Sequence, residues 1–328
     1  MAALAFVAAV CAGCSGVADE PQRQLPPPAE PSTAPEPTRE PVGEVVAVGP
    51  VAEGVVADPR THLVAVGLRE PFRLALIDGR TGEQRRTVPL PGRLRHLQLE
   101  AAGGPVLVPS ESANEVLRVS LPDGDVESQV AVGRFPHDAT ATASGTVVVG
   151  DELGGTVSVV EDDRVVHAFD DSTQPGGVAA VGERVGMVDV RENTLTLYDV
   201  AGRERVAELA AGEGPTHVIA DGRGRLVVVD TRGEALLVFA LAPELRMVSR
   251  LELPGGPYGI GFDGKRDRLW VTLTARNELV GFDAGGETLR EVARLPTLRQ
   301  PNTVTVDPST GRVFVASPTE GALQLIDP

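Results

Sequence analysis

From residue 43 to the C-terminus the sequence repeats with a period of about 40 residues. One unit runs from Pro257 to Asp283: a short apolar strand, an Asp-Gly turn, a nearly all-apolar strand over 269–273, a polar turn and a third strand. The equivalent positions before each first strand are separated by 42, 42, 39, 40, 42 and 44 residues, and they are Gly54, His96, Asp138, Gly177, His217, Gly259 and Thr303. A period of this length built only from short strands is typical of propeller blades. The sequence therefore predicts an all-β protein, a seven-bladed β-propeller over residues 43–328.

The two ends of the repeat region complement each other. The segment GEVVAVG at 43–49 is similar to ESQVAVG at 127–133, which is the fourth strand of its own repeat. The last repeat ends on a third strand, LQLIDP, and has no fourth strand of its own. We therefore expect the N-terminal strand to complete the last blade, closing the ring without a free sheet edge.

One segment could also be read as a helix. By residue propensity alone, EALLVFALAPELRMV at 234–248 would form a short amphipathic helix. Pro243 would interrupt that helix, and the register of the repeat predicts two strands here instead.

The N-terminus has the features of an export signal. Residues 2–13 form an apolar run that is too short to span a bilayer, which is typical of a signal-peptide core. The sequence Ala12-Gly13-Cys14 resembles the end of a bacterial lipobox, where the cysteine is lipidated. We therefore expect residues 1–14 to be a signal peptide and the protein to be exported and lipid-anchored at Cys14, on the outer side of the bacterial cytoplasmic membrane. The alternatives are a plain secretory signal and an unprocessed apolar end.

Residues 15–42 differ sharply in composition from the rest of the chain. They are rich in Pro, Glu, Ala and Gln, a composition that can neither bury a core nor pair in a sheet. We expect a disordered tether that holds the propeller clear of the membrane. The alternative, a disordered leader with no spacing role, predicts the same composition.

The net charge limits the partners. The formal charge is −16, with 46 acidic and 30 basic residues, so the protein repels phosphate backbones and anionic lipid surfaces. We expect no nucleic-acid partner, contact with the membrane through the lipid anchor only, and a monomer.

Several blades resemble a known repeat. The segments LWVTLTARNELVGFD, VVVGDELGGTVSVVE and VFVASPTEGALQLID, with the lead-ins FPHDA, GPTHV, GPYGI and QPNTV, resemble the YVTN repeat of the YncE-like seven-bladed propellers. The single tryptophan, Trp270, argues against WD40 and quinoprotein blades, which repeat theirs. The resemblance implies an extracytoplasmic propeller and names no reaction, because this fold hosts unrelated activities.

The candidate site lies where the first strand of each blade begins. In propellers these strands line the central channel, and the loops before them lie on the face where ligands usually bind. The predicted ligand-binding residues around this mouth are Arg95, His96, His137, Asp138, His217, Tyr258 and Asn302. They either form a polar rim for a ligand or bond neighbouring backbone and stabilise the channel.

Two function classes follow from this site. The first is a non-catalytic module that binds a small ligand or an envelope protein and needs no cofactor. The alternative is a metal-assisted lactonase or lyase with its site at the channel mouth, which would need a divalent cation. A metal site would require His96, His137 and Asp138 to converge with His217. The sequence identifies no catalytic residue.

Overall fold

A computed structural model describes residues 26–328 of the chain. These residues form 28 β-strands and one 3-10 helix of three residues, Thr274–Arg276. The predicted signal peptide and Cys14 lie outside the described residues. The all-β prediction is confirmed for the part that the structure describes.

The strands form seven four-stranded antiparallel sheets, and six of them are continuous in sequence. Strand β1 (Glu44–Ala47) precedes these six. The first three blades are β2–β5 (Ala52–Ala57, Leu63–Arg69, Phe72–Asp78, Gln84–Pro89), β6–β9 (Gln98–Leu99, Val106–Ser110, Glu115–Val119, Val126–Ala131) and β10–β13 (Pro136–Ala141, Val147–Asp151, Thr156–Glu161, Arg164–Phe169). The next three are β14–β17 (Pro175–Val181, Arg184–Asp189, Thr194–Asp199, Glu204–Ala210), β18–β21 (Pro215–Ala220, Arg225–Asp230, Ala235–Ala240, Arg246–Glu252) and β22–β25 (Pro257–Asp263, Arg268–Leu273, Glu278–Asp283, Arg290–Pro296).

The seventh blade joins the two ends of the chain. It contains β26–β28 (Thr303–Val306, Val313–Ser317, Ala322–Ile326), and β1 pairs with β28 as its outermost strand, with Val46 opposite Leu323. The Gln324 Nε2 group also donates a hydrogen bond to the Val42 carbonyl, at 2.7 Å. The predicted closure of the ring is confirmed.

The burial of the strands follows the sequence pattern. The second and third strands of the blades are mostly apolar and largely buried, whereas fourth strands such as β17 and β21 are mostly exposed. A strand needs apolar residues on both sides only where both faces are covered. Here the cover is the neighbouring blade on each side.

Neighbouring blades share their hydrophobic cores. One core cluster combines Val188 and Leu195 of the fourth blade with Leu226 and Phe239 of the fifth. Another combines Val66 and Ile77 of the first blade with Phe314 and Leu323 of the seventh. Since a blade cannot bury its faces alone, the stability of each blade depends on the next one.

The segment with the helix alternative forms strands. Residues 235–240 and 246–252 are β20 and β21, and Pro243 lies in the turn between them. The register of the repeat was the better guide here than helix propensity, because a helix would leave the shared cores on both sides unfilled.

The proline-rich segment differs from the expected tether where the structure describes it. Residues 26–41, which we call the strap, have no strand or helix, as expected of prolines that lack an N–H donor. The strap nevertheless lies against the ring, with Ala34 only 2% exposed and its N–H bonded to Gln300 Oε1 at 2.8 Å. Composition predicted that this segment has no strand or helix, but it did not predict the contacts with the ring. The backbone N–H and carbonyl groups of such a segment can still form hydrogen bonds with side chains of the ring.

None of the helices in the described range, 26–328, is long and apolar enough to cross a membrane.

A pair of substitutions near β1 tests the closure. Val48 is 5% exposed within the core shared by the seventh and first blades, whereas Val45 of β1 is 41% exposed. We expect Val48→Asp to lower the free energy of unfolding by about 3 kcal/mol or more, because it removes a buried apolar group and buries a charge. Val45→Asp, the same chemical change on the exposed face, should cost within about 0.5 kcal/mol. Denaturant unfolding of both variants checks this, and equal midpoints would contradict the closure.

Candidate functional site

The ring has two different faces around its channel. The upper face carries the loops that lead into each inner strand and the turns between second and third strands. The lower face carries the turns between first and second strands, including Pro59, Ala102 and Pro308. All the residues predicted for the site lie at the upper ends of inner strands.

The inner strands enclose a cavity of about 430 Å³. Its upper end lies at His96, Asp138 and His217, and it extends down to Pro59, Ala102 and Pro308 on the lower face, where Ala102 is exposed. Apolar side chains from different blades contribute to its wall, among them Val56, Leu99, Ala180, Ile219 and Ile260. Gln98, Thr140 and Thr305 also line the cavity. The channel wall is therefore mainly apolar with hydroxyl and amide groups among the apolar side chains, and it is most polar at its upper end.

Packed rings close the channel above this cavity. His96 lies edge-on to His137 and to His217, with ring centroids 4.6 Å apart in each pair, and His217 lies edge-on to Tyr258 at 4.5 Å. These four residues come from the second, third, fifth and sixth blades. The channel is thus plugged by side chains that the chain brings together from distant repeats.

Amide and carboxylate groups complete this closure on the other side of the channel. Asn302 Nδ2 donates to Glu53 Oε1 at 3.0 Å, and Gln300 Nε2 donates to Asn302 Oδ1 at 2.9 Å. The Thr303 hydroxyl donates to the Glu53 carbonyl. We call the set that closes the channel the polar plug, and it consists of Glu53, His96, His137, His217, Tyr258 and Asn302.

The polar plug differs from the open rim that the sequence suggested. His96, His137, Tyr258 and Asn302 are between 3% and 9% exposed. Their positions around the mouth were predicted, but they fill it rather than surround it. The periodicity of the repeat gives the position of a side chain along its strand, whereas filling depends on how wide the channel is at that height.

Asp138 has a structural role in this arrangement. Its carboxylate accepts hydrogen bonds from the backbone N–H groups of Ala139 and Val178 and from Gln98 Nε2, at 2.9 to 3.1 Å. Burial raises the pKa of Asp138 to about 6, against the opposing effect of these donors. Its oxygens thus join the third blade to Gln98 of the second and to Val178 of the fourth, and among residues 26–328 Asp138 is not part of a cluster with metal-ligand spacing.

Arg95 is the member of the predicted site that reaches the upper surface. Its Nη1 lies 3.1 Å from Glu30 Oε2 of the strap. The carboxylate and guanidinium pair above the polar plug, so the strap crosses the face on which the mouth would otherwise open.

The histidines of the polar plug differ in charge. Burial, reinforced by the charges of His137 and Arg95, lowers the pKa of His217 to about 3. Burial and the neighbouring histidines likewise hold the pKa of His96 well below its usual range. Both are neutral at physiological pH, and His96 Nε2 and both nitrogens of His217 have no hydrogen-bond partner among the described residues.

His137 is held in the charged form by two glutamates that the sequence analysis missed. Its Nδ1 lies 3.1 Å from Glu152 Oε2 and 3.5 Å from Glu111 Oε1, at ion-pair distance but without hydrogen-bond geometry. Burial opposes a charge here, but the two carboxylates outweigh it and raise the pKa of His137 to about 9. The same contact lowers the pKa of Glu152 to about 2, although burial acts in the other direction.

Glu111 and Glu152 come from equivalent places in adjacent blades. Each stands directly after a second strand, β7 or β11, and so projects from the turn to the third strand. An acidic residue at the end of two consecutive second strands is a signal that the repeat alignment contains. The ligand atoms of Glu111, His137 and Glu152 lie within 4.8 Å of one another, which is a spacing that a metal ion could use.

Arginines surround this acidic group. Arg93 Nε lies 3.0 Å from Glu111 Oε2, and Arg69 Nη2 lies 3.8 Å from the same oxygen. Arg69 also approaches Glu53 at 3.4 Å. The upper end of the channel is thus a buried network in which acids and bases already balance each other.

Comparison with solved structures supports the fold. The chain is similar to a streptogramin B lyase, with a TM-score of 0.72 and 14% identity over 87% of this chain and 97% of that one. It is similar to virginiamycin B lyase from Staphylococcus aureus, with a TM-score of 0.71 and 15% identity over 87% and 99%. It is also similar to hydrazine synthase from Kuenenia stuttgartiensis, with a TM-score of 0.72 and 14% identity over 85% and 96%. At such identities the likeness shows a shared propeller fold alone. No family model matches the sequence, and no curated protein matches it.

Proposed function

We propose that this protein is an extracytoplasmic binding propeller that takes a small, mainly apolar molecule into its channel cavity from the lower face. The observation that carries this proposal is the cavity itself. Its wall is mainly apolar, with a few hydroxyl and amide groups, and it is closed at one end by polar groups and opens at the other. Its volume of about 430 Å³ lies within the range of roughly 300 to 1,000 Å³ that is usual for ligand pockets.

The groups at the closed end favour binding over catalysis. Both oxygens of Asp138 are engaged by backbone and amide donors. His217 is neutral, and both of its ring nitrogens are buried. A general acid or base needs a titratable group within hydrogen-bond reach of the ligand, and Asp138 and His217 do not offer one. His96 also lines the cavity, but burial holds its pKa well below the usual range, which makes it a weak base.

A dye-binding measurement tests this function. We expect the full chain to bind Nile red, a neutral apolar dye, and Ala180→Trp to weaken the affinity at least about tenfold, which corresponds to about 1.4 kcal/mol. The reason is that Ala180 lines the cavity, so an indole there takes up the volume that the dye needs. Dye fluorescence at increasing protein concentration gives the affinity.

The matched control is Val206→Trp. Val206 lies on the exposed strand β17 and is 46% exposed, so the same indole is added outside the channel. This variant should bind Nile red within about twofold of the unchanged protein. Equal binding by the unchanged protein and both variants would place the dye elsewhere and contradict the proposal.

The proposal includes export and a lipid anchor at Cys14, as a YncE-like propeller. Support comes from the apolar run at 2–13, the small residues before Cys14 and the YVTN-like segments of the blades. The first described strap contacts are at Pro26 and Pro27, on the upper face. A fully extended chain from Cys14 to Pro26 reaches about 40 Å at most, so the anchor would keep the upper face toward the membrane.

Fatty-acid labelling tests the anchor. In a bacterial host, the full chain should incorporate a labelled fatty acid and sediment with the membrane fraction. Cys14→Ser should do neither, since it lacks the thiol that is acylated. Equal labelling of both proteins, or a cytoplasmic location of both, would contradict the anchor.

A metal-assisted enzyme on the upper face is the second candidate. It rests on Glu111, His137 and Glu152, whose ligand atoms have a spacing suited to a divalent cation. Once bound, such a cation would supply Lewis-acid chemistry, and these three residues would hold it. The similarity to a streptogramin B lyase agrees with this candidate at the level of fold.

The electrostatics of the site favour the first candidate. The raised pKa of His137, about 9, means that a proton already occupies the place of a cation between the two carboxylates. Arg93 supplies further positive charge to Glu111 at 3.0 Å. A divalent ion would have to displace this proton and would lie close to the positive charge of Arg93. Both effects lower the affinity of the three residues for the ion.

A further inference from the structure

The strap crosses the upper face in an extended conformation, held mainly through its backbone. Pro26 and Pro27 accept hydrogen bonds through their carbonyls from Arg191 and Arg232. Gln300 bonds the strap twice, through Ser32 O at 2.9 Å and the Ala34 N–H at 2.8 Å. Asn277 Nδ2 donates to Pro35 O at 2.9 Å, and Arg299 Nε donates to Ala34 O at 3.3 Å. Backbone contacts of this kind do not require one particular sequence.

Two carboxylates add a preference for acidic chains. Glu30 pairs with Arg95 at 3.1 Å, and Glu36 pairs with Arg299. Together with Arg191 and Arg232, these arginines lie along the path of the strap across the upper face of a protein whose net charge is −16. We call this path the upper groove, and it is formed by Arg95, Arg191, Arg232, Asn277, Arg299 and Gln300.

The strap makes many hydrogen bonds with the ring but buries little of its own surface. Only Ala34 is buried, and Glu30, Thr33, Pro35 and Glu36 are exposed. Exposed ion pairs contribute little free energy, and one buried methyl group adds little more. The ring does not need the strap for closure, because β1 and Val42 make those contacts.

We propose that the upper groove is a docking site for an extended, acidic, proline-containing peptide of another protein, and that the strap occupies it in cis. Proline-rich segments bind in this way because their extended form costs little entropy to fix. The spacing of the occupied contacts defines the ligand: a small residue at the buried position of Ala34, with one carboxylate toward Arg95 and a second toward Arg299. The proposal does not depend on a ligand in the channel cavity, which opens on the other face.

A strap in cis competes at an effective concentration of the order of millimolar, so a free peptide is bound measurably only when the strap is weakened. The probe is a fluorescein-labelled peptide with the sequence of residues 26–41. The full chain with Ala34→Arg should bind it at least about tenfold more tightly than the unchanged chain, because the arginine does not fit where Ala34 is buried. Fluorescence anisotropy gives both affinities. Glu30→Ala with Glu36→Ala is a second variant that loosens the strap by charge instead of size.

The matched control is Thr33→Arg, which adds the same side chain at the neighbouring exposed position. This variant should leave the strap in place and bind the probe as the unchanged chain does. Adding Gln300→Ala to Ala34→Arg should remove the gain, because Gln300 makes two hydrogen bonds to the strap backbone. A probe in which the residues matching Glu30 and Glu36 are glutamine should bind Ala34→Arg about two- to tenfold more weakly than the acidic probe, which is the loss expected for two exposed ion pairs.

Three results would overturn the proposal: no binding to either loosened variant, equal binding to Ala34→Arg and Thr33→Arg, or equal binding of the acidic and glutamine probes. Nile red affinity, measured on the same proteins, should not change. Failure of dye binding would count against the channel function alone, and failure of peptide binding against the upper groove alone.

Discussion

The pairing of Glu44–Ala47 with Ala322–Ile326 is the contact on which the ring depends. Each blade buries its apolar faces only against its neighbours, and the cluster around Val66 and Phe314 exists only if the seventh blade meets the first. A gap there would expose two apolar faces and a sheet edge at once. Closure also fixes the width of the channel, and with it both the polar plug and the cavity below. The two proposed binding surfaces are therefore consequences of one strand pairing.

The asymmetry of the two faces determines what the molecule can bind. Above the cavity, buried histidines and carboxylates close the channel, and the strap crosses over them through Glu30 and Arg95. Below, the wall is mainly apolar and its lower end reaches Ala102 at the surface. A chain attached to the membrane through its N-terminus would present the closed face to the membrane and the open channel away from it. In the two proposals, a small apolar ligand and an extended acidic peptide would therefore bind at separate places on this ring.

The sequence alone was enough to predict the fold, because every blade repeats the same strand and turn chemistry and the ends complement each other. It also placed His96, His137 and His217 around one channel, since equivalent repeat positions lie at equal height in a ring. It did not reveal Glu111 and Glu152, which approach His137 from the turns after β7 and β11 and not from the inner strands. Nor did it show that Asp138 bonds the next blade or that the strap docks, because both depend on contacts between residues far apart in the chain.

The central claim is that the channel binds an apolar molecule and that the upper network is balanced by its own charges. The most direct measurement is a crystal structure of the full chain grown with Nile red and Mn²⁺, with anomalous scattering recorded at the manganese edge. The account predicts density for the dye between Ala180 and Ile260, on the lower side of His217, and no manganese peak among Glu111, His137 and Glu152. A manganese peak at those three residues, with the channel free of dye, would contradict it and establish the metal site in its place.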